Sequence, residues 1–187
     1  MPTERFKQVA NGLFHSKLVY CLTVFGNVWG LASNDQTNRR YTSFSKEDNR
    51  KLQVLQNQVL RLMTRTKVRE TPTVTLLNQT NTLSVHQLTA FMTLISIQKV
   101  LFYKRPTYFF KKLVGSSSDN GDRIRTRQCL DLKVPKADLT QTRGGYSYRS
   151  AMLWNKLPVT LKKEMNPEKF RELAKDWVRS NINWKPT

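Results

Sequence analysis

Apolar side chains recur three and four positions apart along most of residues 1–113. This spacing places them on one face of an α-helix, so it predicts a helical bundle for this part of the chain. Helices are expected over 4–22, from Ser45 towards residue 65, just after Pro72, from Ser84 to about residue 103, and just after Pro106. The long apolar helix that follows Ser84 is expected at the centre of the core.

The second of these helices has the clearest start signal in the chain. Ser45 is placed to cap it, and Asp48, three residues later, completes an acidic variant of the capping box. The apolar face expected to pack inward consists of Leu52, Leu55, Val59, Leu62 and Met63. After Asp48 the opposite face is cationic as far as Arg69.

The pattern changes after residues 114–122, where glycine, serine and aspartate predict a linker. Apolar and polar residues alternate from Arg123 to Val134, and this period of two predicts an extended strand. Residues 140–148 are the candidate antiparallel partner, which gives a short β-hairpin. The expected fold is therefore mainly α, with the bundle over 1–113 and a small C-terminal α+β subdomain over 123–187 that contains the hairpin and a final helix.

Residues 145–158 contain two tyrosines, a methionine and a tryptophan within a short span. Tyr146 and Tyr148 alternate and Trp154 follows at helical spacing, so a strand running into a short helix is expected. The aromatic residues expected in the core are Trp29, Tyr148, Trp154, Phe170 and Trp177. An alternative role for Tyr146 and Tyr148 is to stack on exposed bases. The final helix is expected to start with Asn166 as its cap.

The charge balance sets this chain apart from an ordinary globular domain. Its 187 residues include 32 Lys and Arg against 13 Asp and Glu, for a formal net charge of +19. Self-repulsion at such a charge opposes a compact lone chain, and an acidic partner relieves it. Nucleic acid is the first expectation, because each neutralised phosphate releases a counterion. A membrane surface or an acidic protein would also serve.

Two groups of cations are candidates for phosphate contacts. The first group, on and after the second helix, consists of Arg50, Lys51, Arg61, Arg65, Lys67 and Arg69. The second group, in the C-terminal part, consists of Arg125, Arg127, Arg143 and Arg149. The alternative for the first group is a solvated helix face. The alternative for the extended arginines is a charged strand edge that discourages aggregation.

Motifs for catalysis and for cofactor binding are missing from the sequence. There is no Walker-type loop, no GxSxG, no HExxH and no GxGxxG. Cys21 and Cys129 form no CxxC pair, so neither zinc nor a disulfide framework is expected. We therefore expect no cofactor, no metal, no enzymatic activity, no transmembrane segment and an intracellular location, nuclear or cytoplasmic.

Several short segments follow one another in a specific order along the chain. They are His-Ser-Lys-Leu-Val-Tyr at 15–20, Phe-Gly-Asn-Val-Trp-Gly at 25–30, the helical segment 51–62, Thr71-Pro72 with Leu76-Leu77, Thr126-Arg127, Val134-Pro135, Gly-Tyr-Ser-Tyr at 145–148, Leu-Trp-Asn-Lys-Leu-Pro at 153–158, and Phe170. This ordered set resembles the C-terminal region of reverse transcriptases of non-LTR retrotransposons that carry an apurinic-like endonuclease. Cys21 departs from the glycine that the family usually has after the tyrosine.

The resemblance implies that the first segments begin a helical thumb, which grips the template–primer duplex. It implies that the Trp-Asn-x-Leu-Pro segment belongs to a basic region beyond the thumb. The family's catalytic palm, with its Tyr-x-Asp-Asp metal site, and its endonuclease have no counterpart in this sequence. A fragment of a larger protein and a stand-alone gene derived from one both remain open.

Together these observations predict a thumb-like, non-catalytic module that grips RNA or an RNA–DNA duplex through its phosphates, with little sequence preference. The alternative is a domesticated structural or assembly protein that docks protein partners within a larger complex. Peripheral attachment to anionic lipid is a third hypothesis.

Overall fold

The computed structural model describes residues 3–25, 46–67, 71–114, 130–135 and 145–182. Within these ranges the chain is mainly helical and forms no strand, which confirms the mainly α prediction. The helices are α1 Thr3–Ala10, α2 Ser16–Phe25, α3 Lys46–Thr64, α4 Thr73–Gln79, α5 Val85–Tyr103, α6 Thr107–Val114, α7 Tyr146–Asn155, α8 Val159–Lys162 and α9 Pro167–Asn181.

A π-helical turn, Asn11–His15, joins α1 to α2, so the expected first helix continues without a break. The hydroxyl of Ser16 donates a hydrogen bond to the carbonyl of Gly12 across this turn. A π-helical turn holds more residues than an α-helical one, so it changes which side chains face inward. Leu18 is buried after the turn, whereas Leu13 within it is exposed.

Helix α5 is the central element of the fold. It begins with a capping box, in which the amide of Gln87 donates to the hydroxyl of Ser84 and the amide of Ser84 donates to the side chain of Gln87. It packs against α2, α3, α6, α7 and α9. By length and hydropathy, α5 alone among the described helices could span a membrane, but a buried core helix passes the same criterion.

The main hydrophobic core joins helices from both sides of the predicted linker. Leu94 and Ile97 of α5 pack in one cluster with Leu153 and Trp154 of α7 and with Phe170 of α9. The division into residues 1–113 and 123–187 stays a prediction, and most of the linker lies outside the described residues.

The predicted β-hairpin is wrong where the structure describes it. Residues 130–135 belong to no helix or strand, and Tyr146–Asn155 is helical from its first residue. The strand predicted at the start of this helix was based on the alternation of Tyr146 and Tyr148 alone. Tyr146, Ser150 and Trp154 instead repeat every four positions, and this helical stripe packs on α5. The other hairpin residues, 123–129 and 136–144, lie outside the described ranges.

Side chains of α7 form the hydrogen bonds to the main chain of residues 130–135 that a second strand would otherwise form. The Asn155 amide accepts from the Leu132 nitrogen at 2.8 Å and donates to the Leu132 oxygen at 3.0 Å. The Trp154 indole donates to the Leu130 oxygen at 3.2 Å. Leu132 itself is buried in the main core, so these bonds fix where the segment lies.

The final helix starts where its cap predicts. The Asn166 side chain accepts hydrogen bonds from the amides of Glu168 and Lys169, and Pro167 occupies the first helical position. Phe170 is fully buried and stacks on Trp154 with ring centroids 5.8 Å apart. The other residues expected in the core are Trp177 and Tyr148, which are half-buried, and Trp29, which lies outside the described residues.

Candidate nucleic-acid interface

Helix α3 turns a face rich in amides towards the interior. Its buried residues are Gln53, Gln56, Asn57, Leu60 and Met63, which repeat at helical spacing. Leu60 and Met63 pack on α1 and α4. The buried face of α3 therefore differs from the face that the spacing of its leucines predicts.

A network of hydrogen bonds makes this burial of amides favourable. The Gln53 side chain donates to the side chains of Gln56 and Asn57 at 2.9 Å each and accepts from the Val85 amide at 2.8 Å. Gln56 donates in turn to the Leu83 carbonyl at 2.9 Å. Buried amides that find partners in this way rigidify the structure around them. The network fixes α3 against the first residues of α5.

The outward face of α3 combines apolar and cationic side chains. Leu55 and Leu62, which were expected inside, are 48% and 65% exposed, and Val54 is 44% exposed. Lys51 and Gln58 lie on the same exposed side. The expected apolar face is thus partly wrong, because the hydrogen-bonded glutamines occupy the inner positions that leucines would otherwise take.

An open groove of about 620 Å³ lies at the C-terminal end of α3. Its lining consists of Gln58, Arg61, Leu62, Arg65, Thr66 and Lys67. Three of the predicted phosphate contacts, Arg61, Arg65 and Lys67, therefore meet at one groove, and none of the described residues that line it is a carboxylate.

The end of α3 explains how these three cations come together. Arg65 adopts the left-handed backbone conformation, with φ of 55°. The Thr66 amide then donates to the Arg61 carbonyl at 3.2 Å, the long-range bond of a Schellman-type helix end. This reversal folds the chain back, so Lys67 lines the groove beside Arg61 and does not continue the helix axis.

Arg50 and Lys51 lie at the other end of α3, about 20 Å from Arg65 along the helix axis. Arg50 donates two hydrogen bonds to the Glu47 carboxylate, at 2.8 and 3.0 Å, on the exposed surface. These bonds lower the pKa of Glu47 and raise the pKa of Arg50. Lys51 is exposed. The structure therefore separates these two cations from the groove.

The second predicted group of cations is described only at Arg149. This residue is half-buried on α7 beside Tyr146, and burial lowers the pKa of its guanidinium. Arg69, Arg125, Arg127 and Arg143 lie outside the described residues.

Tyr146 is engaged in packing and is not open for stacking on a base. Its ring stacks on Phe109 with centroids 5.7 Å apart, its hydroxyl is hydrogen-bonded to Ser96, and burial raises its pKa. Among the described residues, Tyr103 and Tyr108 are exposed aromatic rings with several cations close by in the sequence, and the sequence reasoning missed them. The signal for them is a basic, aromatic stretch, residues 99–112, that contains no carboxylate.

No family model, no curated protein and no solved structure matches this chain. The likeness to retrotransposon reverse transcriptases thus rests on the sequence segments alone. Within the described ranges, no group of three or more His, Cys, Asp or Glu side chains is placed to hold a metal ion.

Proposed function

We propose that the chain is a non-catalytic module that grips the backbone of an RNA or RNA–DNA duplex, in the manner of the thumb and post-thumb region that its sequence resembles. The observation that supports this most is the groove at the end of α3. It gathers Arg61, Arg65 and Lys67 in one concave surface, and no carboxylate is among the described residues that line it. Arginine and lysine side chains gathered in this way are the usual contacts to phosphate oxygens.

The groove is built on a rigid support. The amide network of Gln53, Gln56 and Asn57 holds α3 in place, and the hydrogen bond from Thr66 to Arg61 sets the course of the chain after the helix. Cations fixed beforehand lose less conformational freedom when they meet phosphate, which favours affinity.

The local charge also favours a polyanion. Between Asp48 and Glu70 the sequence contains six cations and no carboxylate. By contrast, the outer face of α9 mixes cations with Glu168, Glu172 and Asp176, so its field is weaker. The groove therefore suits a phosphate backbone better than the outer face of α9 does.

A charge-matched pair of variants tests the proposal. The groove variant is Arg61→Gln, Arg65→Gln and Lys67→Gln. The control variant is Lys163→Gln, Lys169→Gln and Arg171→Gln, three exposed cations that lie among carboxylates. Both variants lose three positive charges, so a general effect of net charge is the same in each.

Binding to a blunt RNA–DNA hybrid is measured by fluorescence anisotropy. At about 0.15 M salt each phosphate contact on a duplex is worth about 0.7 log units, so the groove variant should lose on the order of 100-fold in affinity. The control should lose less than about fivefold. Equal losses in both variants, or no binding by the unmodified chain, would contradict the proposal.

A second candidate function is docking to a protein within a larger assembly. The exposed apolar side chains of Val54, Leu55 and Leu62 favour it, because apolar groups on an outer helix face suit a protein contact. Capture of a partner that survives nuclease digestion, and that is lost on Leu55→Ser with Leu62→Ser, would support this reading. Loss of every partner on digestion would count against it.

A further inference from the structure

The corner between α5 and α6 exposes aromatic rings together with cations. Tyr103 is 61% exposed, Tyr108 is 74% exposed and Phe102 is 43% exposed. The exposed cations of the same corner are Lys104, Arg105, Lys111 and Lys112. We call these seven residues the aromatic corner. No carboxylate occurs in the sequence between Glu70 and Asp119, so none from this part of the chain neutralises it.

The backbone holds the aromatic corner in a defined shape. Lys104 has a left-handed φ of 53°, which ends α5, and α6 begins three residues later at Thr107. On α6, Leu113 is fully buried and Phe109 stacks on Tyr146 of α7, so these two residues fix the inner side.

Helical spacing then determines the outer side of α6. Tyr108, Lys111 and Lys112 stand three and four positions apart, so the ring and both ammonium groups share one face. All three are exposed. A tyrosine ring with cations on the same helix face offers a stacking surface for a base and contacts for the neighbouring phosphates.

We propose that the aromatic corner binds single-stranded nucleic acid, with unpaired bases stacked on Tyr103 and Tyr108 and phosphates held by the neighbouring cations. Stacking on an aromatic side chain needs an open base face, which a duplex offers only at its ends. A single strand is therefore the ligand that makes use of both rings. Sequence preference should be slight, since every base has a stacking face.

An anionic membrane fits this surface less well. Helices that lie on membranes bury a continuous face of Leu, Phe or Trp side chains. The aliphatic Leu113 of α6 packs into the core, and the outer face instead carries Thr107 and the hydroxyl-bearing ring of Tyr108.

The aromatic corner is separate from the α3 groove. The amides of α3 meet the chain at Leu83 and Val85, at the start of α5, whereas the corner lies at the far end of that helix. A helix of 19 residues is about 28 Å long, so the two ends of α5 present different surfaces, and no residue of the corner lines the groove.

The test compares double and single tyrosine variants in the full chain. The variants are Tyr103→Ala with Tyr108→Ala, Tyr103→Phe with Tyr108→Phe, and Tyr20→Ala as a control. Tyr20 is 79% exposed on α2, so Tyr20→Ala removes a similarly exposed ring from another surface. The probe is a labelled oligo(dT) of about 12 nucleotides, which matches the usual site sizes of single-strand binders.

Alanine at both corner positions should weaken binding of the oligonucleotide by at least about tenfold, because one stacked base is worth roughly 5- to 150-fold in affinity. Phenylalanine at both positions should retain binding within about threefold, since the stacking face is kept. Tyr20→Ala should behave like the unmodified chain. Binding of the blunt hybrid should be unaffected by all three changes.

Three results would overturn the inference: no binding of the oligonucleotide by the unmodified chain, equal losses in the alanine and phenylalanine variants, or equal losses in Tyr20→Ala. Flotation with phosphatidylserine vesicles that depends on the corner, while oligonucleotide binding does not, would assign the surface to lipid instead. If the corner fails and the groove variant still loses duplex binding, the proposed function stands. The reverse result would leave the corner as the binding site.

Discussion

Replacing Asn155 with alanine removes both hydrogen bonds that hold Leu132 against α7. The amide oxygen accepts from the Leu132 nitrogen at 2.8 Å, and the amide nitrogen donates to the Leu132 oxygen at 3.0 Å. Alanine cannot replace either bond. The segment 130–135 must then leave two main-chain groups unsatisfied or move towards water.

Either response has a cost that can be worked out. A buried main-chain group left without a partner costs about 1–3 kcal/mol. Movement of the segment to water would instead take Leu132, which is 6% exposed, out of the core. Exposing a leucine side chain costs about 1.5–3 kcal/mol. The free energy of unfolding should therefore fall by about 2–4 kcal/mol, which for a chain of this size lowers the Tm by roughly 5–15 °C.

Urea unfolding followed by circular dichroism measures this loss, and hydrogen exchange locates it. The amides of Leu132 and Lys133 should exchange much faster in the variant than in the unmodified chain, since Lys133 donates to the Leu113 carbonyl in the same segment. Asn181→Ala is the control, because its amide donates to a carbonyl on an exposed helix surface. It should change stability by less than about 0.5 kcal/mol. An Asn155→Ala variant with unchanged stability and unchanged exchange would refute the role given to this side chain.

The other predictions concern α3 and the π-helical turn. Gln56→Ala should destabilise the fold by about 1–3 kcal/mol in urea unfolding, because it removes the side-chain donor of the buried Leu83 carbonyl and one of the two acceptors of the buried Gln53 amide. The exposed Gln58→Ala should change stability by less than about 0.5 kcal/mol, and similar losses in the two variants would contradict the network. Burial lowers the pKa of His15 below its usual 6.5, so the unfolded chain binds the proton more readily. The contribution of neutral, buried His15 to the free energy of unfolding is complete above pH 6.5, the usual pKa, and is lost as the pH falls below that value. Urea midpoints measured from about pH 5 to 8 should therefore fall towards low pH, and His15→Asn should flatten this part of the profile. An unchanged profile would rule the histidine out as its source.

Local signals in the sequence were sufficient to place most helices. Ser84 and Asn166 cap the helices that they were expected to cap, and Pro158 separates α7 from α8 as a helix breaker should. Such signals act through hydrogen bonds to the next few residues, so they can be recognised from the local sequence without knowledge of the tertiary fold.

Long-range hydrogen bonds account for what the sequence did not predict. The spacing of Leu55 and Leu62 suggested an inner face for α3, but Gln53 and Gln56 are buried because main-chain groups some thirty positions later satisfy their amides. The segment 130–135 alternates apolar and polar residues as a strand does, yet Leu132 is hydrogen-bonded to the side chain of Asn155 and not to another strand. Neither partner can be inferred from periodicity.

The sequence predicted which residues belong to the candidate site, but it did not predict the groove in which they meet. Arg61, Arg65 and Lys67 were expected to contact phosphate, but their meeting in one groove depends on the left-handed turn at Arg65. A non-glycine residue in that conformation gives little local signal. The aromatic corner was missed because helical spacing alone does not say which tyrosines point outward.

The salt dependence of binding to the RNA–DNA hybrid tests the central claim most directly. The logarithm of the binding constant is plotted against the logarithm of salt concentration for the unmodified chain, the groove variant and the charge-matched control. Each phosphate contact contributes about 0.9 to the slope, so the groove variant should show a slope shallower by about 2.7, while the control keeps the steep slope of the unmodified chain. A flat dependence for the unmodified chain, or the same slope in all three proteins, would contradict the claim that these cations are gathered to hold a phosphate backbone.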